Sequence, residues 1–413
     1  MSTPGADDLA VGTVVDVEAQ KVAHGGHVVG RHEGRVIFIR HALPGERVRV
    51  RITDGGPGDS FLRGDAVEVL RASEHRVTPP CRFAHPGGCG GCDFQHVTPA
   101  HQRALKAAVV TEQFARLARL EVTPVVEELP VGPGGPGWRT RVEFAVDDAG
   151  RPGLRAHRSH DVVPVDRCLI AVDAVNDSGV LERAWLGERA VDVIAPSGGA
   201  GAGEAVLVPV PTGEKGAPPV RERVVVGDWE ETFEVAARGF WQVHPAAAAT
   251  FVEHVLAELD PQPGERAVDL YSGVGLFAAA LADRVGADGA VLAIEGDRSA
   301  TEAARRNLAG RPQVEVRRGR VDAALRPLVR QGVTADVVVL DPPRSGAGKA
   351  VVDAVVALTP RAVVYVACDP AALARDTARF LHHGWTLRTL RVLDAFPMTH
   401  HMECLATFDP PVA

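Results

Sequence analysis

Apolar and polar positions alternate through residues 9–71, in short runs such as Val14-Val15-Asp16-Val17, Arg35-Val36-Ile37-Phe38-Ile39 and Arg47-Val48-Arg49-Val50-Arg51-Ile52. A period of two predicts strands. Gly25-Gly26, Pro44-Gly45 and Asp54-Gly55-Gly56-Pro57-Gly58 supply the turns between them. A small closed barrel of about five strands is expected, the build of many oligonucleotide-binding modules. From Thr98 to Leu120 the period becomes helical, with Leu105, Val109, Phe114 and Leu117 on one face, Thr98 as N-cap and Pro99 in the first turn. Residues 122–245 return to strands broken by loops, among them a Gly/Pro/Ala-rich stretch from Pro196 to Pro219 that reads as a mobile surface loop. After His244-Pro245 comes a helix over Ala246–Leu259. Strand–loop–helix units follow, with strands at Arg266–Leu270, Ala290–Glu295, Gln313–Arg318, Val337–Asp341 and Arg361–Cys368. That repeat predicts a doubly wound, largely parallel sheet. The patterning divides the chain at residues 1–72, 73–245 and 246–413.

Composition changes this picture little. The chain has 413 residues, a formal net charge of −8, 46% hydrophobic and 24% charged residues. Such a chain suggests two to three ordinary globular domains and no global basic field, so any nucleic-acid site is a local patch. Two candidates stand out. Six arginines lie between Arg31 and Arg51 against only Glu33 and Glu46, and Arg47, Arg49 and Arg51 share one strand face. That face either tracks phosphates or is a solvated sheet face. The second is Arg139, Arg141, Arg151, Arg155, His157 and Arg158, near Trp138. No signal-peptide pattern opens the chain, and no apolar run reaches the ~20 residues of a membrane helix. A cytoplasmic monomer without membrane association is expected. Six cysteines in such a chain point to metal binding or catalysis before disulfides.

The cysteines fall into two groups. Cys81, Cys89-Gly90-Gly91-Cys92 and the distant Cys168 carry the Cys-x2-Cys half-site of a zinc or iron–sulfur centre, and spacing alone does not choose between them. Cys368 instead ends the apolar strand Val363–Ala367, at the sheet edge where α/β folds collect ligands. Taken alone it reads as a core thiol. Its neighbours argue otherwise. Asp269-Leu270-Tyr271-Ser272-Gly273-Val274-Gly275 is a strand end followed by a glycine turn, and Glu295 ends the next strand, where an acid accepts ribose hydroxyls. Asp269 suits the amino-acid end of S-adenosylmethionine. Asp341-Pro342-Pro343-Arg344 ends a fourth strand, in the manner of methyltransferases that act on planar bases. Gly346-Ala347-Gly348-Lys349-Ala350 is not a phosphate loop, because it lacks the leading glycine and the Ser/Thr after lysine.

Together these residues resemble the RNA uracil-C5 methyltransferases over nearly the whole chain. The resemblance implies an α/β Rossmann-like class I methyltransferase domain, an N-terminal all-β TRAM barrel of OB-like build, and a central α+β iron–sulfur domain. It implies S-adenosylmethionine as cofactor, with Gln242 (in Phe240-Trp241-Gln242-Val243), Tyr271, Gly273, Gly275, Glu295 and Asp341 around it. It implies a [4Fe–4S] cluster, or zinc, on Cys81, Cys89, Cys92 and Cys168, with Cys368 as nucleophile and Glu403 as base. The barrel and cluster cysteines point to 23S rRNA rather than tRNA as partner. The chain departs from the family at His244 and Leu276, where asparagine is common, and in a longer Cys81–Cys89 gap.

The chemistry explains these residue types. C5 of uracil is a weak nucleophile until a thiolate adds to C6, and a carboxylate must later remove the C5 proton. A free thiol titrates near ~8.5, so a thiolate-favouring site is expected, and the base must leave its stack. Asp341 also suits a hydrogen bond to the uracil. Two rivals need no Cys–Glu pair: a methyltransferase acting on an exocyclic nitrogen through Asp341-Pro-Pro, and a non-catalytic RNA-binding protein with a degenerate cofactor site.

Overall fold

The computed structural model describes residues 9–130, 137–199, 202–213 and 216–412. Its contacts divide into two units. The first holds the chain up to Val109 with Gly153–Cys168 and Phe396–His401; the second holds Val110–Pro152, Leu169–Ala395 and Met402 onward.

In the first unit, β1 (Val14–Val22), β2 (Val28–His32), β3 (Arg35–Arg40), β4 (Arg47–Asp54) and β5 (Phe61–Arg71) close into a barrel in the order β1-β2-β3-β5-β4. Alternation does this: Val48, Val50 and Ile52 of β4 join Val15, Val17, Ile37, Ile39 and Leu62 in the core. The arginines between them face outward, but they are not a free basic stripe. Arg49 bonds Asp16 at 3.1 Å and also reaches Glu68, and Arg47 lies 3.7 Å from Asp16. The register sets Asp16 opposite Arg49 across β1 and β4, which produces the pairing. This favours the solvated-face reading over the phosphate track. Below the barrel wall, Glu46 is fully buried and accepts from Arg76 Nε at 2.6 Å and Nη2 at 2.7 Å.

Helix α1 (Pro99–Gln113) carries Leu105 and Val109 into the core and continues as a π-turn over Phe114–Ala118. The predicted helix to Leu120 stops at Arg119, whose φ of 54° is left-handed. In the second unit follow β6 (Val126–Glu128) and β7 (Arg141–Val146). Next come β8 (Pro152–Arg155) and β9 (Val162–Val163), whose Leu154–Arg155 and Val162–Val163 pair in the first unit. The second unit resumes with the short α2 (Asp173–Asn176), β10 (Ala190–Ile194), β11 (Val206–Val210), and the hairpin β12 (Val220–Val226) with β13 (Trp229–Val235).

Strand β11 corrects the expectation of a mobile loop over 196–219. Its residues pair antiparallel with β10 from Ala190↔Val210 to Ile194↔Val206. Pro209 is tolerated because β11 lies at the sheet edge. Residues 200–201 and 214–215 of that stretch lie outside the described residues. In the second basic patch Arg151, Arg155 and Arg158 are exposed, but two of its arginines are engaged within the protein. Arg141 donates to Glu222 at 2.7 Å and to two backbone carbonyls, and Arg151 pairs with Asp147.

The main sheet of the second unit follows α3 (Ala247–Leu259). Its elements are β14 (Arg266–Leu270), α4 (Leu276–Val285), β15 (Ala290–Glu295), α5 (Arg298–Asn307), β16 (Val314–Arg318), α6 (Val321–Arg330), β17 (Val337–Leu340), α7 (Lys349–Ala357), β18 (Ala362–Ala367), α8 (Pro370–His382), β19 (Thr386–Asp394) and β20 (Glu403–Asp409). The strand order is β16-β15-β14-β17-β18-β20-β19-β6. Strands β14 to β18 are parallel, and β20 runs antiparallel beside β18. Order reverses between β14 and β17, and such a switch point opens a crevice at the strands' C-terminal ends. Strand β17 is buried at every position, as is β18, because helices cover both faces.

Candidate active site

The residues picked out in the sequence gather at that carboxyl edge. Strand β14 ends at Leu270, and Tyr271 turns the chain with φ of 62°. Gly273 has φ of 55°, and a Cβ there would meet no atom within 4 Å. That opening is a cradle a ligand can enter against bare backbone. Gly275, φ 95°, begins α4, and a side chain there would press on Leu308 at 2.8 Å. Glu295 accepts from Gly273 N at 2.8 Å and from Asp297 N at 2.6 Å, tying the turn to the end of β15. Its oxygens retain lone pairs for a further donor. Gln242 is buried beside buried Trp241, whereas Phe240 is 76% exposed.

Asp269 is held by one oxygen only, its Oδ1 being buried with no protein partner. It is fully buried, and its Oδ2 accepts from Ala278 N at 2.9 Å, which fastens α4 to β14. Burial pushes its carboxyl up to about 8, with Asp341 and Glu295 adding repulsion. Ser272 Oγ, beside the turn, is buried without a protein partner. The open cradle, this hydroxyl and the acids at two strand ends fit a cationic, hydroxyl-bearing cofactor such as S-adenosylmethionine.

The reacting groups are assembled by strand pairing. Ala367↔Cys404 is the last pair of β18 with β20. Continuing that register one step sets Cys368 opposite Glu403, the first residue of β20. Opposed residues of an antiparallel pair share one face. Asp369 then caps α8, accepting from Ala372 N at 2.7 Å, so the chain turns away immediately after the thiol. Glu403 is buried, and burial, then Asp341, raises its carboxyl well above the ordinary range. Burial alone pushes Asp341 up to about 7. Cys368 is pushed up to about 12 by burial and by Glu403 and Asp341. Arg344 opposes these effects at both Cys368 and Glu403.

Where a thiolate-favouring site is expected, the protein surroundings of Cys368 by themselves favour the neutral thiol. Arg344, which the sequence pattern alone gives no role, adds its charge to the group. His244, where the family often has asparagine, stacks on Trp138 at 6.1 Å, and burial lowers it to about 4. Cys404 is fully buried, as expected of a structural thiol.

The other four cysteines lie together in the first unit. Cys89 interacts electrostatically with Cys168 and Cys81, and Cys92 with Cys168 and Cys89. Gly91 N donates to Cys89 Sγ at 3.3 Å, and Gln95 Nε2 to Cys92 Sγ at 3.2 Å. Nevertheless, among the described residues no group of three or more His, Cys, Asp or Glu side chains is disposed to hold a metal ion. The expected iron–sulfur or zinc site is therefore not assembled in this structure.

Strand order, crevice and glycine turn define a class I S-adenosylmethionine-dependent methyltransferase. Residues 217–408 match the tRNA (uracil-5-)-methyltransferase family model, and residues 8–67 match the TRAM domain. The chain is 47% identical to an uncharacterized RNA methyltransferase of Streptomyces avermitilis, over 97% of this chain and 99% of that one. It is 31% identical to the 23S rRNA (uracil(1939)-C(5))-methyltransferase RlmD of a Shewanella species, over 94% and 93% of the two chains. The solved tRNA (uracil-54, C5)-methyltransferase of Pyrococcus abyssi, 21% identical, matches with a TM-score of 0.68 over 95% of this chain and 99% of that one. The chain thus belongs to the TRAM-domain RNA uracil-C5 methyltransferases, which methylate RNA from S-adenosylmethionine. Among the described residues no helix is long and apolar enough to cross a membrane.

Proposed function

We propose that this enzyme methylates C5 of a uridine in tRNA, with Cys368 as nucleophile and Glu403 as base. The residue assignment rests on the β18–β20 register, which ends at Ala367↔Cys404 and, continued one step, sets Cys368 opposite Glu403. Cys368 adds to C6 of the flipped uracil, and C5 becomes nucleophilic. S-adenosylmethionine, when bound, supplies the electrophilic methyl group. Glu403, once ionised, is a stronger base than an exposed glutamate and takes the C5 proton; Cys368 then leaves. Because the surroundings favour the neutral thiol, its proton passes to solvent as sulfur adds to C6 and is taken back when the thiolate leaves, and the positive charge of Arg344 offsets the developing negative charge. Asp341, pushed up to about 7, is suited to hydrogen-bonding the uracil edge as well as walling the cofactor. Gln242, Tyr271, Gly273, Gly275 and Glu295 surround the cofactor in this reading.

The description of the matched catalytic model supports tRNA. The 31% identity to a 23S rRNA enzyme favours 23S rRNA as the second reading. Nucleoside mass spectrometry of tRNA and rRNA from a deletion strain decides between them: loss of 5-methyluridine from tRNA supports the first, and loss from rRNA alone overturns it. In vitro, Cys368→Ala is expected to abolish methylation and the trapping of 5-fluorouridine RNA; retained activity would sink the mechanism.

We also propose that Cys81, Cys89, Cys92 and Cys168 close around a [4Fe–4S] cluster, with zinc as the alternative. The N–H groups aimed at two of the sulfurs support this, since they favour thiolate. Iron, sulfide and zinc analysis of anaerobically purified protein tests it, and a preparation with none of these overturns it. No catalytic step depends on this site.

A further inference from the structure

The glycine segment that is not a phosphate loop has a partner. Asp376 on α8 is buried, and its Oδ2 accepts from the Tyr365 hydroxyl at 2.7 Å and from Ala347 N at 2.8 Å. Gly348 N reaches both of its oxygens at 3.2 Å, and Ala347 N also donates to the Tyr365 hydroxyl at 3.0 Å. Gly346 permits this approach. It has φ of 86°, and a Cβ there would lie 2.7 Å from Asp376 Oδ2 and 3.2 Å from Ala372 Cβ.

Both gripping residues belong to the nucleophile's own elements. Tyr365 is fully buried on β18, three residues before Cys368, and α8 starts two residues after it. The gripped loop is the continuation of Asp341-Pro342-Pro343-Arg344. Gly346 N donates to Pro343 O at 2.8 Å, and at the loop's other end Asp341 N donates to Leu270 O at 3.2 Å. The loop thus hangs between the cofactor strand and the nucleophile's helix. It carries Asp341 and Arg344, whose charges act on Cys368 and Glu403. Tyr271, on the cofactor side, also interacts electrostatically with Asp376.

We infer that Asp376, with Tyr365, is a positioning residue that holds the Asp341–Gly348 loop in register with Cys368. The inference rests on Cys368 being the nucleophile. A carboxylate suits the role because it only accepts, and the loop offers only donors. An amide in its place keeps one accepting oxygen but turns its NH2 toward the N–H of Gly348.

The test is steady-state and trapping kinetics of the full chain at a temperature where every variant is folded. Asp376→Asn and Gly346→Ala attack the same contact from opposite sides, the second leaving the carboxylate intact. Each is expected to lower kcat and the rate of 5-fluorouridine adduct formation together, by about 10- to 100-fold, the scale of a misplaced reacting group. KM for RNA and the Kd for S-adenosylmethionine should stay within about threefold, because the loop is misaligned rather than lost. Tyr365→Phe, which leaves the Ala347 N to Asp376 bond in place, should cost less than either. Wild-type kcat in both folded variants overturns the inference. So does a loss confined to melting temperature, which is what a merely structural contact would give. Undiminished activity of Cys368→Ala would instead overturn the underlying mechanism, so the two failures are distinguishable.

Discussion

The barrel and the carboxyl edge of the main sheet treat charge in opposite ways. On the barrel, Arg47 and Arg49 meet acids of neighbouring strands, and the fully buried Glu46 is matched by a bidentate arginine and two backbone N–H groups. Its carboxyl is accordingly held below the usual range despite burial. At the sheet edge, Glu403, Asp341 and Asp269 are carboxyls that burial drives upward, with Arg344 the opposing cation at Glu403. At Glu46 the barrel satisfies its buried charge, although burial also raises the carboxyl of Asp65 on β5 against Arg40 and Arg51. The reacting region keeps its carboxyls unmatched, because a carboxyl already neutralised by a partner is a poor base.

Four experiments break or sharpen that contrast. Glu403→Gln should have the largest effect: turnover falls by on the order of 10²- to 10⁴-fold, the range for loss of a general base, while the Cys368 adduct accumulates. Gel-shift of denatured enzyme–RNA adduct reads this, and unchanged turnover would mean that the unmatched carboxyl is only structural. Glu46→Ala should be next, and purely structural: stripping Arg76 of its partner costs about 3–5 kcal/mol in denaturant unfolding, with kcat of the folded fraction unchanged. Asp269 gives a pH dependence. Its folded value, about 8, lies above the ordinary ~3.9. Its contribution to stability is therefore full below about pH 4 and is lost as pH rises through about 8. Asp269→Asn should flatten that slope, raising the melting temperature at alkaline pH and not at acid pH. A slope unchanged in the variant would remove Asp269 as its cause. Arg49→Ala should do least. An exposed, paired arginine is worth about 1 kcal/mol or less, and RNA affinity should keep its salt dependence. A clearly shallower salt slope would return this face to the phosphate-tracking role.

What was readable in the chain follows from locality. Strand β18 carries its burial in its own apolar run, the turn after Leu270 carries its glycines, and β1 to β5 carry a period of two, so these elements fall where alternation and turn residues put them. Strand β11 was obscured because glycine, alanine and proline around it mimic a loop, and only pairing with β10 stabilises it. Of the motif residues of the site, Cys368, Asp341 and Glu295 stand at strand ends beside recognisable turns, whereas Glu403, which begins β20, was legible only through the resemblance to a known family.

By itself the sequence determined the strand–helix alternation, the barrel and the candidates for nucleophile and cofactor cradle, which are written in short stretches, while the candidate base came from the resemblance of the chain to a family. Tertiary structure decided what charge each group bears and what holds it. Whether Arg47 and Arg49 are free depends on acids from other strands, and the state of the Cys368 thiol depends on burial and on Glu403, 35 residues away. The grip of Asp376 on Gly346–Gly348 has no local signature at all, because its donors come from a loop some 30 residues earlier in the chain. Desolvation and electrostatic coupling are properties of the folded surroundings, and no window of sequence contains them.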